Sequence, residues 1–428
     1  MYKDLSEWLT YLESVSYHRS LKVPSSSRVK RFESFKKITQ KLNVLHWDCP
    51  VITIAGTNGK GSCVALLASI LKAAGYRVGT YTSPHLLRYN ERIQVNLEPV
   101  NDHLLCSTFH TIHALKQDAA LGYVGYSALA ALLLFKATAL DIILLEVGVG
   151  GRFDFVNSVD STIAIISSID FDHTQLLGNS IEEIAFEKAG IMRAGQPAIW
   201  GDTQLPDNVN QYAQALGTSV WVQEKDFGIL RSQDNENVWQ WWGLYQKLSK
   251  LPIPNITYLP NAACVLQAIA YLKATHLPMT QKSIELGLKN FQLPGRFQII
   301  TNGPTQIILD VAHNPASARL LANNLARLSY SGRLLAVVGM LAKKDTINIL
   351  HPLIAIVDHW YLGSLMVPSG ATAKDLASPL KANAIIHYNI CPTVEDAYIA
   401  AVKAAGVGDV IVVFGSFRTI EAITKLTV

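Results

Sequence analysis

The segment 51–71, VITIAGTNGKGSCVALLASIL, limits most strongly how this chain can fold. It joins a short β-branched apolar run, typical of a buried strand, to a run with helical apolar spacing. The connecting turn is rich in glycine, and backbone N–H groups at such a turn can hold an anion at the helix N-terminus. Lys60 adds a positive charge, and Thr57 or Ser62 adds a hydroxyl. The segment therefore predicts a phosphate-binding loop. A tight strand-to-helix connection with an incidental lysine is the alternative, but the order of strand, glycines, lysine and serine favours the loop.

The residue sequence of this loop differs from the common P-loop pattern G-x-x-x-x-G-K-[ST]. Only two residues separate its first two glycines, and a third glycine stands between the lysine and the serine. The residues expected to bind nucleotide are Gly56, Thr57, Asn58, Gly59, Lys60, Gly61 and Ser62.

The bulk composition limits the class of protein. A chain of 428 residues is longer than a single hydrophobic core usually supports, so two domains are expected. With 49% hydrophobic and 16% charged residues, it suits a globular α/β protein and not a disordered one. The net charge of +4 is too small and too dispersed to indicate nucleic-acid binding, but it suits small anionic substrates.

The cysteines and the apolar segments indicate the cellular compartment in which the protein works. The five cysteines form no C-x-x-C pair, which favours free thiols in a reducing compartment. The N-terminal segment 1–15 is a charged amphipathic helix and not a signal peptide. The most apolar stretch, 126–147, is interrupted by Lys136 and Asp141, so it predicts a buried helix and strand and not a membrane span. We expect a soluble cytoplasmic protein.

Apolar strand candidates alternate with helical segments along the chain, which predicts mostly parallel sheets covered by helices. In the first part they lie at 51–55, 77–82, 141–147, 162–169 and 196–200, and in the last part at 306–311, 333–339, 359–364, 384–388 and 409–414. Between these parts, 201–258 predicts antiparallel hairpins. Its cluster of three tryptophans covers a sheet edge or, as the alternative, forms a ligand platform. The helix expected at 258–274 leads toward Pro294 and Gly295, a candidate domain junction.

The expected fold class is therefore α/β with two domains. A P-loop mononucleotide-binding N-terminal domain spans 1–293, and a smaller Rossmann-like C-terminal α/β domain spans 294–428.

Polar residues follow three of the predicted strands, and ligands of open α/β sheets bind at the carboxyl ends of strands. One strand leads into TSPHLLRYNERI, with Ser83, His85, Glu91 and Arg92; the next ends at Glu146 before a glycine loop with Arg152 and Asp154; the third is followed by Asp170, Asp172 and His173. A helix bearing Glu187 and Lys188 comes next. A single Glu or His at a strand end is commonly structural. Three such ends beside a phosphate loop instead predict a shared metal and nucleotide site.

Seven motifs in this order carry a resemblance: GTNGKGS, TSPHL with NERI, LEVGVGGRFD, DHTQLLG, EKAGI, PGR and DVAHNP. The chain resembles the folylpolyglutamate synthase family, and most of all its bifunctional bacterial form with dihydrofolate synthase activity, within the Mur ligase superfamily. The likeness extends over nearly the whole chain. It implies that the compact G-T-N-G-K-G-S loop is this family's P-loop, with Gly61 where other Mur ligases carry Thr or Ser.

The resemblance implies ATP-driven amide formation. ATP would phosphorylate a pteroate or folate carboxylate to an acyl phosphate, and L-glutamate would attack it. Two anions would meet at the γ-phosphate, so positive charge must be concentrated there by Lys60 and magnesium. The family implies two Mg²⁺ ions, with Ser83, Glu146, His173 and Lys188 as ligands, and allows a monovalent cation in addition.

Lys188 is an unusual member of such a ligand set. An ammonium about 4 Å from a dication would be repelled by about 8 kcal/mol at an effective dielectric constant of about 20. The resemblance implies that carbon dioxide adds to the amine, which gives a carbamylated lysine with a carboxylate-like end. A surface Glu–Lys pair at a helix end is the alternative for this motif taken alone.

The resemblance assigns further roles. Lys60, Lys188, His173 and His313 are the expected catalytic residues. Asn261 would border adenine, Arg296 would reach the phosphates and Asp310 the ribose, while His313 would lie near phosphate and glutamate. The substrate-binding residues would be His85, Arg92, Arg152, Phe153, Asp154 and Ser416.

Two departures from the family pattern are visible. FDFVN replaces L-D-A-T-N, so that Phe155 and Val156 stand in place of small and hydroxyl residues and alter the expected pterin wall. Lys343 stands where an aspartate is common, which changes a local charge.

Three other functions are alternatives to that of the bifunctional enzyme. Folylpolyglutamate synthase activity alone is one. A cell-wall Mur peptide ligase is a second, but about 50 residues before the P-loop leave little room for its sugar-nucleotide domain. A nucleotide switch is the third, but it needs an [NT]-K-x-D base reader, and the nearest match, AKKD at 342–345, begins with alanine. The expected partners are ATP, dihydropteroate or folates and L-glutamate, with no nucleic acid and no membrane, and the chain is expected to be a monomer.

Overall fold

The computed structural model describes residues 4–17, 25–116, 121–231, 238–244, 246–252, 259–302 and 305–427. The described chain divides into two compact units, one ending at Phe291 and the other beginning at Gln292.

The first unit contains ten α-helices and eleven strands among its described residues. The helices are α1 (Leu5–Tyr17), α2 (Ser25–Lys41), α3 (Lys60–Ala73), α4 (Asp102–Leu115), α5 (Gly122–Lys136), α6 (Thr174–Leu177), α7 (Ile181–Ala189), α8 (Asp207–Leu216), α9 (Leu259–Thr275) and α10 (Gln281–Lys289). The strands are β1 (Val51–Ala55), β2 (Val78–Tyr81), β3 (Ile93–Val95), β4 (Glu98–Pro99), β5 (Ile142–Glu146), β6 (Ile163–Ile166), β7 (Ala198–Trp200), β8 (Val220–Val222), β9 (Phe227–Arg231), β10 (Val238–Gly243) and β11 (Gln246–Pro252).

Eight of these strands form one sheet in the order β4-β3-β2-β5-β1-β6-β7-β8. The six strands from β2 to β8 in this order run parallel, and the short β3 and β4 add an antiparallel edge. Every residue of β1 and β5 is buried, because helices cover both faces of a parallel sheet. The register sets Ile54 beside Glu146, so the P-loop and the loop after β5 begin next to each other.

A small antiparallel sheet in the order β11-β10-β9 follows the large sheet. It confirms the hairpins predicted within 201–258, although α8 and β8 in the same range were not predicted and β8 extends the parallel sheet. The side chains of Trp239 and Trp241 are buried, so these two rings do not form an exposed ligand platform.

The second unit is a six-stranded sheet in the order β12-β13-β17-β14-β15-β16 with helices around it. Its strands are β12 (Gln298–Asn302), β13 (Thr305–Asp310), β14 (Leu334–Val338), β15 (His359–Gly363), β16 (Tyr388–Cys391) and β17 (Val410–Phe414). Its helices are α11 (Pro315–Leu325), α12 (Thr346–Leu350), α13 (Ala373–Ala382), α14 (Val394–Ala404) and α15 (Phe417–Thr427). All pairs are parallel except β12 with β13.

The predicted fold class, α/β with a P-loop unit and a smaller Rossmann-like unit, is confirmed. Nine of the ten strand candidates overlap a strand of the structure over half of their length or more. The candidate 384–388 is wrong, because the strand there lies at Tyr388–Cys391. No helix among the described ranges is long and apolar enough to span a membrane. The five cysteines are free thiols, as expected.

Candidate functional site

The P-loop connects β1 to α3, and the strand beside β1 holds it in place. The hydroxyl of Thr57 donates to the carbonyl of Asp170 (2.9 Å) and accepts from its N–H (3.1 Å). The carbonyl of Asn58 accepts from the hydroxyls of Ser167 (2.6 Å) and Ser168 (3.2 Å). The two serines follow β6 and were not among the predicted site residues; the polar pair directly after a buried strand was the available signal.

Gly59 ends the loop in the left-handed region, with φ 83°, and directly precedes α3. A Cβ there would clash with the side-chain oxygen of Asn261, so this amide lies directly against the P-loop. Both the conformation and the close approach require glycine. The structure thus brings Asn261, the residue expected beside adenine, to the loop.

Two lysines meet at one carbonyl of the loop. Lys60 Nζ donates to the carbonyls of Gly56 (3.0 Å) and Thr57 (3.2 Å), and Lys188 Nζ donates to the same Gly56 carbonyl (2.8 Å). Lys188 is only 4% exposed. Burial, and next the charge of Lys60, lower the pKa of Lys188 to about 7, while the carboxylates of Asp172 and Glu187 oppose this. The Lys188 amine is therefore partly neutral near pH 7.

Glu146 ends β5 beside the same loop. Its buried carboxylate accepts from the N–H of Ser83 (2.9 Å). The oxygens of Glu146 lie 3.7 and 3.8 Å from the position a Cβ would occupy on Gly61, in the first turn of α3. The hydroxyl of Ser83 lies 3.6 Å from the corresponding position on Gly148, just after β5. Two predicted metal ligands, Ser83 and Glu146, are thus brought together near the P-loop.

His173 lies at the residue before α6, in the left-handed region with φ 52°. Its side chain is 45% exposed, and its Nε2 is 4.0 Å from a carboxylate oxygen of Asp172. Within the described ranges, no group of three His, Cys, Asp or Glu side chains is arranged to hold a metal. The predicted set contains only two such residues, Glu146 and His173, so its completion would depend on Ser83 and Lys188.

The donor chemistry around Glu146 fits magnesium in part. A carboxylate and a hydroxyl are hard oxygen donors of the kind that Mg²⁺ prefers. Lys188 as an ammonium does not fit, because a cation repels a cation, whereas a carbamate on the same nitrogen would supply oxygen anions.

The segment after β2 is ordered by Glu91, whose carboxylate accepts from the N–H groups of Leu86 (2.7 Å), Leu87 (2.9 Å) and Arg88 (2.6 Å). This turn brings together two predicted substrate-binding residues.

Arg92 Nε donates to His85 Nδ1 at 2.8 Å. Arg92 is buried, at 8% exposure for the residue, and its guanidinium lies 5.4 Å from the ring of Tyr89 and 5.2 Å from that of Tyr123. Tyr123 was not predicted, because only the fold brings α5 to this segment.

The three predicted substrate-binding residues in the glycine loop after β5 contact different parts of the protein. Asp154 accepts from the N–H groups of Gly148 (3.0 Å) and Val156 (3.1 Å), and burial raises its pKa. Arg152 lies over the rings of Phe186 (4.6 Å) and Tyr212 (5.0 Å) on α7 and α8. The ring of Phe153 lies 6.1 Å from that of Phe32. The structure therefore does not gather these side chains into one cluster.

The residues that depart from the family pattern lie either in the hydrophobic core or on the surface. Phe155 is buried, with its ring centroid 4.6 Å from that of Phe35, and Val156 is also buried. Both belong to the core. Lys343 is exposed in the turn before α12.

In the second unit, four predicted residues lie near the ends of the neighbouring strands β13 and β17. The carboxylate of Asp310 accepts from the N–H groups of Phe297 (2.8 Å) and Ala312 (2.7 Å). Burial raises the pKa of Asp310, and the charge of Arg296 opposes this rise. Ser416 is buried, and its hydroxyl accepts from the N–H of Thr419 (3.0 Å) in the first turn of α15.

Phe417 joins two of these residues and was not predicted. The guanidinium of Arg296 lies 5.0 Å from its ring, and the ring of His313 lies 6.2 Å from it. His313 Nδ1 lies 2.9 Å from the carbonyl of Val311, which sets the proton on Nδ1. The aromatic residue after Ser416 in FGSF was the available signal.

Comparison with known proteins matches both units. The Mur ligase middle domain matches residues 54–238, and the Mur ligase glutamate ligase domain matches residues 295–417. The dihydrofolate synthase/folylpolyglutamate synthase of Escherichia coli is 37% identical over 99% of this chain and 95% of its own length. That of Haemophilus influenzae is 38% identical over 97% and 96%.

Solved structures agree with the sequence comparison. The structure of E. coli FolC in complex with DHPP and ADP has a TM-score of 0.91 at 37% identity, with 99% of this chain and 98% of that one covered. A bifunctional folylpolyglutamate synthase/dihydrofolate synthase with Mn, AMPPNP and L-glutamate bound has a TM-score of 0.89 at 38% identity, with the same coverage. With both domain models matched and the likeness extending over the full chain, the protein belongs to the dihydrofolate synthase/folylpolyglutamate synthase family of Mur ligases.

Proposed function

We propose that this protein is an ATP-dependent ligase that joins L-glutamate to dihydropteroate, forming dihydrofolate, and to folates, forming polyglutamates. The observation that carries the proposal is the convergence, on one P-loop, of Lys60, Lys188 and the buried carboxylate of Glu146. The relatives that match over their full length bear both activities in their names, which favours the bifunctional enzyme over folylpolyglutamate synthase activity alone.

The chemistry follows from the weakness of a carboxylate as an electrophile. An oxygen of the substrate carboxylate attacks the γ-phosphorus of ATP, the bond to the β-γ bridging oxygen breaks, and ADP leaves. The resulting acyl phosphate is attacked by the glutamate amine, the amide bond forms, and phosphate leaves while the amine gives up a proton. Both reacting groups carry negative charge in the first step, so fixed positive charge at the γ-phosphate lowers its barrier.

Lys60 is proposed to supply that charge. In the structure its ammonium folds back onto the carbonyls of Gly56 and Thr57, which are neutral acceptors. A triphosphate in the loop would offer anionic oxygens, which attract the ammonium by opposite charge in addition to accepting its hydrogen bonds. The lysine is therefore expected to exchange its backbone partners for phosphate oxygens.

Ser83, Glu146, His173 and Lys188 are proposed to hold two Mg²⁺ ions. Bound there, the ions would neutralise charge on the phosphates. Lys188 takes part as a carbamate. The proposal rests on its burial beside Gly56 and on the nearby ammonium of Lys60, which disfavours a second positive charge. A neutral amine is the form that adds carbon dioxide.

In the second unit, Arg296 and Asp310 are proposed to bind the nucleotide, and His313 and Ser416 to serve phosphate and glutamate. The ring of Phe417 between Arg296 and His313 supports a common role for these two side chains. In the first unit, His85 and Arg92 form a hydrogen-bonded pair proposed to contact the pterin substrate. Arg152, Phe153 and Asp154 are proposed as further substrate-binding residues, each held by its own contacts.

One assay tests the proposal. Phosphate release from ATP is measured with L-glutamate and, in turn, dihydropteroate, tetrahydrofolate and a uridine diphosphate muramoyl peptide, and the products are identified by mass spectrometry. We expect turnover with the first two and none with the third. Turnover with tetrahydrofolate alone would reduce the function to folylpolyglutamate synthase, and turnover with the muramoyl substrate would replace it.

A further inference from the structure

Asn157 is a buried side chain, in the short 3₁₀ turn Phe155–Ser158, to which the proposed function gives no role. Its amide nitrogen donates to two backbone carbonyls, those of Arg152 (3.0 Å) and Gly190 (3.0 Å). Its amide oxygen accepts from Arg193 Nη2 (3.0 Å). Both N–H groups and the oxygen are engaged within the protein, so Asn157 is not built as a ligand for substrate.

The two carbonyls belong to different segments of the chain, one that precedes Lys188 in the sequence and one that follows it. Arg152 lies in the glycine loop that follows β5 and Glu146. Gly190 directly follows α7, two residues after Lys188. One amide thus connects the loop that begins at a proposed metal ligand with the helix end that carries another.

Arg193 completes this connection. Its Nη2 also donates to the carbonyls of Asn157 (2.6 Å) and Val159 (3.2 Å), and its Nη1 donates to the carbonyls of Ile191 and Met192 (both 3.2 Å). The guanidinium therefore fixes both the backbone and the side chain of Asn157 relative to the segment that follows α7.

The loop and the helix end also touch directly. The N–H of Arg152 donates to the carbonyl of Glu187 (2.9 Å). A Cβ on Gly151 would lie 2.8 Å from the carbonyl oxygen of Lys188 and 2.9 Å from its Cα, so the backbone of Lys188 is in contact with the loop. A shift of the loop would be passed on to Lys188, because no space separates them.

We propose that Asn157 is a positioning residue for Lys188: with Arg193 it locks the glycine loop to the end of α7 and so aims the lysine side chain at the P-loop. This inference rests on the proposed role of Lys188. A lysine side chain has four rotatable bonds, so a nitrogen held 2.8 Å from Gly56 O requires a fixed backbone at its base. Partners of this outer kind typically change metal affinity or activity by about 10- to 100-fold when removed.

The test compares four variants: Asn157→Ala, Asn157→Asp, Lys188→Ala and the control Asn208→Ala. Asn157→Asp keeps the shape and the acceptor for Arg193 but loses both N–H donors. Asn208 is a matched control because its amide donates to the carbonyl of Glu182 (3.0 Å), near the other end of the same helix α7. Thermal unfolding first shows which variants are folded. If neither Asn157 variant folds, Arg193→Lys replaces them, because it weakens the same connection and leaves Asn157 intact.

Two measurements other than turnover report on Lys188. The first is the affinity of the protein with AMPPNP for Mn²⁺, followed by electron paramagnetic resonance in bicarbonate buffer. The second is the carbamate signal in ¹³C NMR of the nucleotide-free protein with ¹³C-bicarbonate. For the Asn157 variants we expect Mn²⁺ affinity to fall by about 10- to 100-fold and the carbamate signal to weaken, with both unchanged in Asn208→Ala.

The outcomes separate this inference from the function on which it rests. If Lys188→Ala loses Mn²⁺ affinity but a folded Asn157 variant does not, the positioning role is wrong and the function stands. If Lys188→Ala keeps its Mn²⁺ affinity, the metal role of Lys188 is wrong and the positioning role is overturned with it. A loss of affinity equal in Asn208→Ala and Asn157→Ala would show a general effect on α7 and would also overturn the inference.

Discussion

Lys60 and Lys188, 128 positions apart in the sequence, donate to the same carbonyl oxygen, that of Gly56, at 3.0 and 2.8 Å. Two ammonium groups on one neutral acceptor leave positive charge concentrated at the P-loop. Such an arrangement is tolerable when an anion binds there or when one amine is neutral. The first condition suits Lys60 and a triphosphate, and the second suits the buried Lys188.

Lys60→Ala should remove most turnover and leave the fold intact. Loss of one charge-stabilising group at a transition state typically lowers kcat by about 100- to 1,000-fold. The folded state should lose little, because the hydrogen bonds from Lys60 to Gly56 and Thr57 end on backbone carbonyls of its own loop. Phosphate-release kinetics and a thermal melt measure the two effects. Lys72→Ala, in the last turn of the same helix, is the control. Near-normal kcat in Lys60→Ala would contradict the assignment of the P-loop.

Lys188 should make stability depend on pH in the nucleotide-free protein. Its folded pKa is about 7 and its ordinary value is 10.5, so between these values the unfolded state binds more protons than the folded state. The free energy of unfolding therefore rises with pH across this window. From pH about 7 to about 9 the rise should be about 2 kcal/mol relative to Lys188→Met, because the slope grows from about half of 1.36 kcal/mol per pH unit at pH 7 toward the full value.

Urea unfolding of both proteins in carbonate-free buffer with a chelator measures this difference. Every other ionisable group is present in both proteins, so most of the remaining pH dependence cancels in the difference. A wild-type-minus-variant difference that stays flat with pH would show that Lys188 is not buried as a partly neutral amine.

Glu146→Gln should weaken metal binding more than it weakens folding. The amide has nearly the shape of the carboxylate and can still accept from the Ser83 N–H, but it removes the negative charge beside the first turn of α3. We expect the Mg²⁺ concentration at half-maximal rate to rise by about 10-fold or more and kcat to fall. Glu98→Gln, on the exposed edge strand β4, is the control. An unchanged Mg²⁺ titration would make Glu146 a structural residue.

The sequence predicted those parts of the molecule whose signals are local. Buried parallel strands such as β1 and β5 are continuous apolar runs, so they were located within a residue or two. The strand β16 was misplaced, because an exposed edge strand with the sequence YNIC has no such run. Likewise β8 has three residues, and only its pairing with β7 makes it a strand of the sheet.

Site residues divide in the same way. Lys60 and the loop glycines are visible in the sequence because their spacing is local. The meeting of Lys188 with Gly56, and of Tyr123 with Arg92, depends on which strands and helices are neighbours, which no local pattern records. Arg152 belongs to a predicted motif, yet its partners lie on α7 and α8, so the motif alone did not indicate where its side chain points.

Phe417 should affect nucleotide binding through Arg296. The guanidinium lies 5.0 Å from the ring, a contact worth about 0.5–1 kcal/mol at an exposed site and about 2 kcal/mol when desolvated. Phe417→Leu removes the aromatic face but keeps an apolar side chain at the start of α15, and Phe417→Tyr keeps the face. If Arg296 binds the phosphates of ATP, the loss should raise KM for ATP by about 2- to 30-fold, since about 1.4 kcal/mol corresponds to a factor of ten.

The effect of Phe417→Leu on KM for glutamate distinguishes the role of His313 from that of Arg296. His313 lies farther from it, at 6.2 Å, and also has the carbonyl of Val311 beside its Nδ1, so it should keep its orientation in Phe417→Leu better than Arg296 does. KM for glutamate should therefore change less than KM for ATP, and Phe417→Tyr should stay near wild type for both. Arg418→Ala is the control, because that exposed side chain pairs with Glu421. Equal KM values for ATP in Phe417→Leu and the wild type would show that the ring does not serve Arg296 in nucleotide binding.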